Sequence, residues 1–101
     1  MTNIADKEEV KKAAEKAKEL RKQELNDIRT VLSSASGRRF LWRVLEECKT
    51  FNTVFSEEAL LMSRNCGRQD LGHFIMAEIV EADENLLFKM MKNNFKGSQD
   101  D

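Results

Sequence analysis

The chain contains no proline among its 101 residues and only 4 glycines. Proline is the residue that most reliably ends a helix, because it lacks a backbone N–H and its ring clashes with the preceding turn. Charged residues make up 35% of the sequence, and the helix-favouring residues lysine, glutamate, alanine and leucine are common. The sequence therefore predicts an all-α fold, and its length allows at most one domain with a modest core.

The charge balance and the lengths of the apolar runs argue against several classes of protein. The formal net charge is -1, so no overall basic field attracts nucleic acid or an anionic membrane. No apolar run approaches the roughly 20 residues that a membrane span needs. The first residues lack the apolar segment of a signal peptide. We therefore expect a protein that is made and kept in a cytoplasm, without a membrane span.

A long charged helix is predicted from Asp6 to about Leu32, because small and apolar residues recur close to the helical period. The first half of this helix presents mostly alanines, which bury little area. We expect this part, within residues 1–24, to project from the body and to pack against a partner or another copy of the chain. A solvated extension without a role is the alternative. The candidate contact residues on this helix are Val10, Ala13, Ala17 and Leu20.

The remainder of the chain, residues 25–96, is predicted to form a compact bundle of about four short helices, followed by a disordered acidic tail over 97–101. A serine-rich stretch that ends at Gly37 predicts the first break, because serine side chains compete for backbone hydrogen bonds and glycine tolerates turn dihedrals. Asp83 is expected to cap the last helix. After the first break, one helix is predicted to begin near Ser36. Three further helices are predicted over residues 57–66, 68–82 and 84–95.

The predicted core consists of apolar residues that recur on one face of each helix. Two phenylalanines in the connection that follows the second helix are expected to turn back into this core. The predicted core residues are Leu25, Ile28, Val31, Leu32, Phe40, Leu41, Val44, Leu45, Cys48, Phe51, Phe55, Leu71, Phe74, Ile75, Ile79 and Ala82.

No arrangement of side chains in the sequence predicts catalysis. His73 is the only histidine, no Ser/His/Asp or Cys/His set can be identified locally, and no glycine-rich loop precedes a helix with a lysine. Cys48, Cys66 and His73 offer three potential metal ligands, but their spacing matches no compact zinc pattern. The two cysteines are better interpreted as small core residues. We expect no enzymatic activity, no cofactor and no metal.

Arginines cluster around the only tryptophan. Arg38 and Arg39 stand in the first turn of the second predicted helix, where a cation opposes the helix dipole, so a carboxylate or phosphate partner is expected. Trp42 either stacks on these arginines or covers the edge of the core. At least one arginine of this group is expected to pair with the acidic residues at the junction over 78–84. The candidate partner-binding residues of the body are Arg38, Arg39, Trp42, Arg43, Arg64 and Arg68.

Three stretches of the chain resemble a known family. They read GRRFLWRVLEEC over residues 37–48, GRQDLG over 67–72 and AEIVEAD over 77–83. Together with two phenylalanines between the first and second stretches, they look like a family of small tailed-phage proteins that is named after a protein of a Bordetella short-tailed phage. The resemblance covers roughly residues 27–92, and the N-terminal helix lies outside it.

The sequence departs from the family pattern at a few positions. Val44 stands where leucine is usual, and Gln69 replaces an arginine. His73 and Phe74 stand where the family often has a tryptophan.

The resemblance implies a phage origin and a small all-helical domain, and it supplies no catalytic residues. The family is associated with virion and morphogenesis genes. We therefore expect a non-enzymatic virion or morphogenesis protein in the host cytoplasm or the virion. It would dock on portal, tail or internal ejection proteins through helical packing, or form a homo-oligomer through its N-terminal helix. The alternative is a small regulatory module that contacts nucleic acid or a host protein through an arginine face.

Overall fold

The computed structural model describes residues 4–97, which form three helices and no strand. These helices are α1 (Ile4–Val31), α2 (Ala35–Glu47) and α3 (Ala59–Gly97). The all-α prediction is confirmed. Gly97, the first residue of the predicted tail, is the last residue of α3, and the remaining tail residues, 98–101, lie outside the described residues.

The turn between α1 and α2 lies at the predicted serine-rich break. Ser34 has an extended backbone, and its side chain accepts a hydrogen bond from the N–H of Gly37 at 3.0 Å. This bond caps the start of α2. A Cβ atom at Gly37 would lie only 1.8 Å from the carbonyl oxygen of Val31. Glycine is therefore required at this position because the backbone at the end of α1 passes directly over it.

One bend divides α3, at Asp83, whose backbone is extended with φ −172° and ψ 105°. Its Oδ1 accepts a hydrogen bond from the N–H of Asn85 at 3.0 Å, so Asp83 caps the second part of the helix as predicted. The predicted break at Gly67 is wrong. A single glycine inside a helix costs only about 1 kcal/mol relative to alanine. Where about four short helices were predicted to follow the long N-terminal helix, the described residues contain two, α2 and the long, bent α3.

The core lies where the end of α1 and the body of α2 pack against the middle and second part of α3. Its buried apolar residues are Leu32, Trp42, Leu45, Cys48, Ile79, Ala82, Leu87 and Met90. Trp42 stacks on Phe51 with ring centroids 5.0 Å apart, and both rings meet Phe95 edge-on at 5.2 Å. Trp42 is only 5% exposed, so it belongs to an aromatic cluster of the core and does not form part of an arginine surface.

Several residues predicted to lie in the core are exposed instead. The large ones are Val31, Phe40, Phe55, Leu71 and Phe74. Cys66 is also exposed, although Cys48 is buried as predicted. The physical reason is the shape of the molecule, whose Cα atoms extend over 66 × 37 × 16 Å. Because the Cα atoms span only 16 Å in the shortest direction, many helix faces have no neighbour to cover them.

The connection between α2 and α3 is held by the side chain of Gln69. Lys49 follows the last turn of α2 with a left-handed backbone, φ 55°. The side-chain amide of Gln69 donates to the carbonyl oxygens of Lys49 at 3.0 Å and of Asn52 at 2.8 Å. One turn further along α3, a Cβ atom at Gly72 would lie 2.1 Å from Oγ1 of Thr50. Gln69 and Gly72 therefore fix the end of α2 against α3.

Candidate interaction surfaces

The N-terminal half of α1 is the first candidate surface. Every residue from Ile4 to Leu20 is exposed, and Arg21 is the first residue of the helix that is half-buried. Val10 is 68% exposed and Leu20 is 54% exposed. Together with Ala13 and Ala17 they lie within about 80° of arc on one side of the helix. We call Val10, Ala13, Ala17 and Leu20 the α1 seam; such a seam is typical of a helix that packs against another helix.

A row of lysines lies along one edge of the α1 seam. Lys7, Lys11 and Lys18 fall within about 40° of arc, next to Val10. All three are exposed. In an antiparallel pair of two α1 helices, this row would face the same row of the other copy, and like charges at such positions repel each other. A helix that carries carboxylates along its edge would be attracted to it instead.

Arg21 joins α1 to α3 through carboxylates. Its Nη1 donates to Oε1 of Glu78 at 3.1 Å, its Nη2 donates to Oε2 of Glu78, and Nη2 also donates to Oε2 of Glu81 at 2.6 Å. The hydrogen bonds to Glu78 and then to Glu81 raise the pKa of Arg21 above its ordinary value. Its hydrogen bond in turn lowers the pKa of Glu78. These pairs fix the direction in which α1 leaves the body.

The sequence did not predict that Arg21 is the cation at the acidic junction of residues 78–84. We expected an arginine of α2 there, but within residues 4–97 the ion pairs of this junction are made by Arg21. Arg29 adds a hydrogen bond from its Nε to the carbonyl oxygen of Ala82 at 2.6 Å. The sequence did indicate that Arg21 faces the body, because Arg21 lies on the same side of α1 as the predicted core residues Leu25 and Leu32.

The arginines near Trp42 have different environments. Arg38 is half-buried, and its Nη1 donates to the carbonyl oxygen of Leu32 at 2.8 Å, so it satisfies an acceptor at the end of α1. Among residues 4–97, Arg39 makes a long contact of 3.4 Å to Ser36, on the preceding turn of the same helix. The other arginines predicted to bind a partner are exposed; they are Arg43, Arg64 and Arg68.

The outer side of α3 is a second candidate surface, which sequence reasoning missed because it placed Leu71 and Phe74 in the core. Leu60, Leu71 and Phe74 are 83%, 53% and 59% exposed. Together with Gly67 they lie within about 60° of arc. Including Arg64, the spacing alternates between four and three residues, as it does along helix–helix seams. We call Leu60, Arg64, Gly67, Leu71 and Phe74 the α3 stripe.

The part of the chain that the structure describes offers neither a cluster of metal-binding side chains nor a membrane-spanning helix. Residues 4–97 contain no group of three or more His, Cys, Asp or Glu side chains that could hold a metal ion. No helix among these residues combines the length and the apolar character needed to cross a membrane. What the described surface offers is apolar and charged helix faces.

The fold and these surfaces define a small all-helical protein with uncovered apolar faces. The chain matches the family of Bbp19-like phage proteins over residues 28–92. This match covers more than half of the chain, so the chain belongs to that family and is a phage protein. The resemblance noted in the sequence is thereby confirmed. No curated protein and no solved structure matches the chain. The family match includes the α3 stripe and leaves out the α1 seam.

Proposed function

We propose that this phage protein is a non-enzymatic component of the virion, or of its morphogenesis, that docks on another phage structural protein through helical packing. The α1 seam is the observation that supports this proposal most directly. It lies on a helix half whose residues are all exposed and which Arg21 holds at a fixed direction from the body. A portal, tail or internal ejection protein is the expected partner.

The composition of the α1 seam indicates what kind of surface covers it. Alanines at its centre let a second helix approach closely, near the lower end of the usual interaxial distances of about 8–10 Å. Val10 and Leu20 at its ends are large and exposed, and burial stabilises such side chains by about 1.5–3 kcal/mol each. The lysine row favours a partner helix with carboxylates along the facing edge. A different protein can present such carboxylates, whereas a second antiparallel α1 would place its own lysine row against this one.

A regulatory module with an arginine face is the second candidate. Arg39, Arg43, Arg64 and Arg68 are exposed and available to it. Arg38 is used by the carbonyl oxygen of Leu32, and Trp42 lies in the aromatic cluster. We therefore rank this function below docking. Unchanged DNA mobility at low salt would exclude its nucleic-acid form, because binding that depends on phosphate contacts is strongest there.

The test compares two phages that carry single substitutions in α1. Ala17→Glu places a carboxylate in the middle of the α1 seam, whereas Lys12→Gln on another side of the helix changes the net charge by the same amount. Mass spectrometry then quantifies the protein in purified particles and in complexes captured from infected cells. We expect Ala17→Glu to lower the recovery with phage structural proteins by about tenfold or more, which corresponds to about 1.4 kcal/mol, and Lys12→Gln to leave it unchanged. Equal recovery of both variants would contradict docking through α1.

A further inference from the structure

The exposed side of α1 continues beyond the α1 seam. Glu24, Asp27 and Val31 follow Leu20 on the same side of the helix, within about 60° of arc, and all three are exposed. From Val10 to Val31 the spacing therefore alternates between three and four residues, over about 32 Å of helix. Such spacing is typical of one helix of a two-helix coiled coil. We call the α1 seam together with Glu24, Asp27 and Val31 the extended seam.

Two positions of the extended seam are acidic. Glu24 is paired with Arg21 at 3.3 Å, and the same guanidinium also binds Glu78 and Glu81. Asp27 takes part in none of the ion pairs among residues 4–97. A carboxylate that another helix covers is strongly unfavourable unless a cation or a hydrogen-bond donor faces it. A helix that covers the extended seam must therefore bring a cation to Asp27.

A second copy of α1 does not meet this requirement. In a parallel coiled coil of two identical helices, equivalent core positions face each other. Glu24 would then lie against Glu24 of the other copy, and Asp27 against Asp27, and such like charges repel. In an antiparallel pair the two lysine rows would face each other. The charges of α1 therefore oppose pairing with itself in both orientations and favour a helix of a different protein.

The extended seam ends at an apolar hollow between α1 and α2. The hollow has a volume of about 200 Å³ and is lined by Asp27, Ile28, Val31, Leu32 and Leu41. Four of these five side chains are aliphatic, so an apolar side chain that enters the hollow is removed from water. Because Asp27 lines the same hollow, a partner that fits it carries an apolar side chain next to a cation.

We propose that a single helix of the docking partner covers α1 from Val10 to Val31, as the second helix of a coiled coil. This inference rests on the proposed docking through α1 and adds the chemistry of the partner. The partner helix carries carboxylates opposite the lysine row, a cation opposite Asp27, and beside that cation an apolar side chain that enters the hollow. A helix with the reverse order of charges would place like charges together at both ends.

Substitution of Asp27 separates this inference from the docking function itself. Phages that carry Asp27→Leu, Glu15→Leu or Ala17→Glu are compared by the amount of this protein that mass spectrometry recovers with phage structural proteins. Asp27→Leu leaves the cation of the partner covered and unpaired, so recovery should fall about tenfold or more. Glu15→Leu makes the same change on the opposite side of α1 and should leave recovery unchanged. Circular dichroism of each purified variant checks that it is folded.

The hollow is tested by a substitution of the opposite kind. Val31→Ser should lower recovery, whereas Val80→Ser, which changes another exposed valine on α3, should not. A partner that met this face with apolar residues alone would instead bind Asp27→Leu more tightly. If Ala17→Glu lowered recovery but Asp27→Leu or Val31→Ser did not, the proposal would be overturned and docking through α1 would stand. If none of the three lowered recovery, both would be contradicted.

Discussion

Substitution of Gly72 by alanine tests the contact between α2 and α3 most sharply. The added Cβ atom would lie 2.1 Å from Oγ1 of Thr50 and 3.0 Å from Cβ of Cys48. Thr50 is buried, and its Oγ1 donates to the carbonyl oxygen of Leu45 at 2.7 Å. The hydroxyl therefore has to move away from its acceptor, or the end of α2 has to separate from α3. We expect Gly72→Ala to destabilise the fold.

The size of the effect follows from three contributions. Overpacking a well-packed site costs about 1–3 kcal/mol. Loss of the buried hydrogen bond from Thr50 to Leu45 costs about 1–3 kcal/mol more. The higher helix propensity of alanine returns about 1 kcal/mol. The free energy of unfolding should therefore fall by about 1–5 kcal/mol, measured by urea denaturation at two protein concentrations so that any contribution from association is separated.

Gly67→Ala is the matched control, because it makes the same change on the same helix. Its Cβ atom meets nothing within 4 Å, so at the lower protein concentration it should stabilise the chain by about 0.5–1 kcal/mol. Thr50→Ala combined with Gly72→Ala should cost less than the sum of the two single substitutions, because the hydroxyl that clashes is gone. If Gly72→Ala and Gly67→Ala had the same effect on stability, the close contact at Gly72 would be refuted.

Three further predictions concern other parts of the fold. Trp42→Ala should lower the free energy of unfolding by about 3–5 kcal/mol, because it opens the aromatic cluster; urea denaturation measures this, and a loss below 1 kcal/mol would contradict the cluster's role. Asp83→Ala should cost about 1 kcal/mol through loss of the cap, whereas Asp83→Asn, which keeps the acceptor, should cost much less; thermal unfolding of both compares them. Because Arg21 lowers the pKa of Glu78, the stability from this pair should be present above about pH 4.3 and lost as pH falls further. Glu78→Gln should flatten that part of the stability profile, and a wild-type profile already flat there would refute the assignment.

The helix boundaries that the sequence predicted well are those set by local chemistry. Ser34 and Asp83 each place a side-chain oxygen where it can accept from a backbone N–H two or three residues later. A short polar side chain at such a position favours a helix start whatever the rest of the molecule does. Gly67 was misjudged because the effect of a glycine depends on its surroundings, and continuous helix on both sides of it outweighs its propensity.

The core was predicted less well, because helical periodicity identifies an apolar face but not what covers it. Ile75 and Ile79 lie on the face of α3 that α1 and α2 cover, whereas Leu71 and Phe74 lie just beyond its edge. Nothing in the spacing separates these two pairs. Because the Cα atoms span only 16 Å in the shortest direction, apolar residues next to the core face the outside. One sequence therefore cannot distinguish a core residue from an interface residue.

The candidate site was predicted only in part, for a related reason. The α1 seam was identified from its alanines and its charged surroundings, and its four residues are exposed. The arginine group around Trp42 was less well assigned, since Trp42 is buried and Arg38 donates to a backbone carbonyl of α1. Trp42 contacts Phe51 and Phe95, and Arg38 contacts Leu32. These contacts join different segments of the chain, so the residues next to Trp42 or Arg38 in the sequence do not predict them. The ion pairs of Arg21 with Glu78 and Glu81 join segments still further apart.

Cross-linking of the phage particle or its assembly intermediates tests most directly whether this protein docks on a phage structural protein through α1. Lys7, Lys11 and Lys18 line the α1 seam and react with amine-specific cross-linkers, so mass spectrometry can locate what lies beside them. Docking through α1 predicts cross-links from Lys11 and Lys18 to one phage structural protein, lost in the Ala17→Glu phage and kept in the Lys12→Gln phage. If these lysines cross-linked only within the chain or to other copies of it, α1 would not be the surface on which this protein docks.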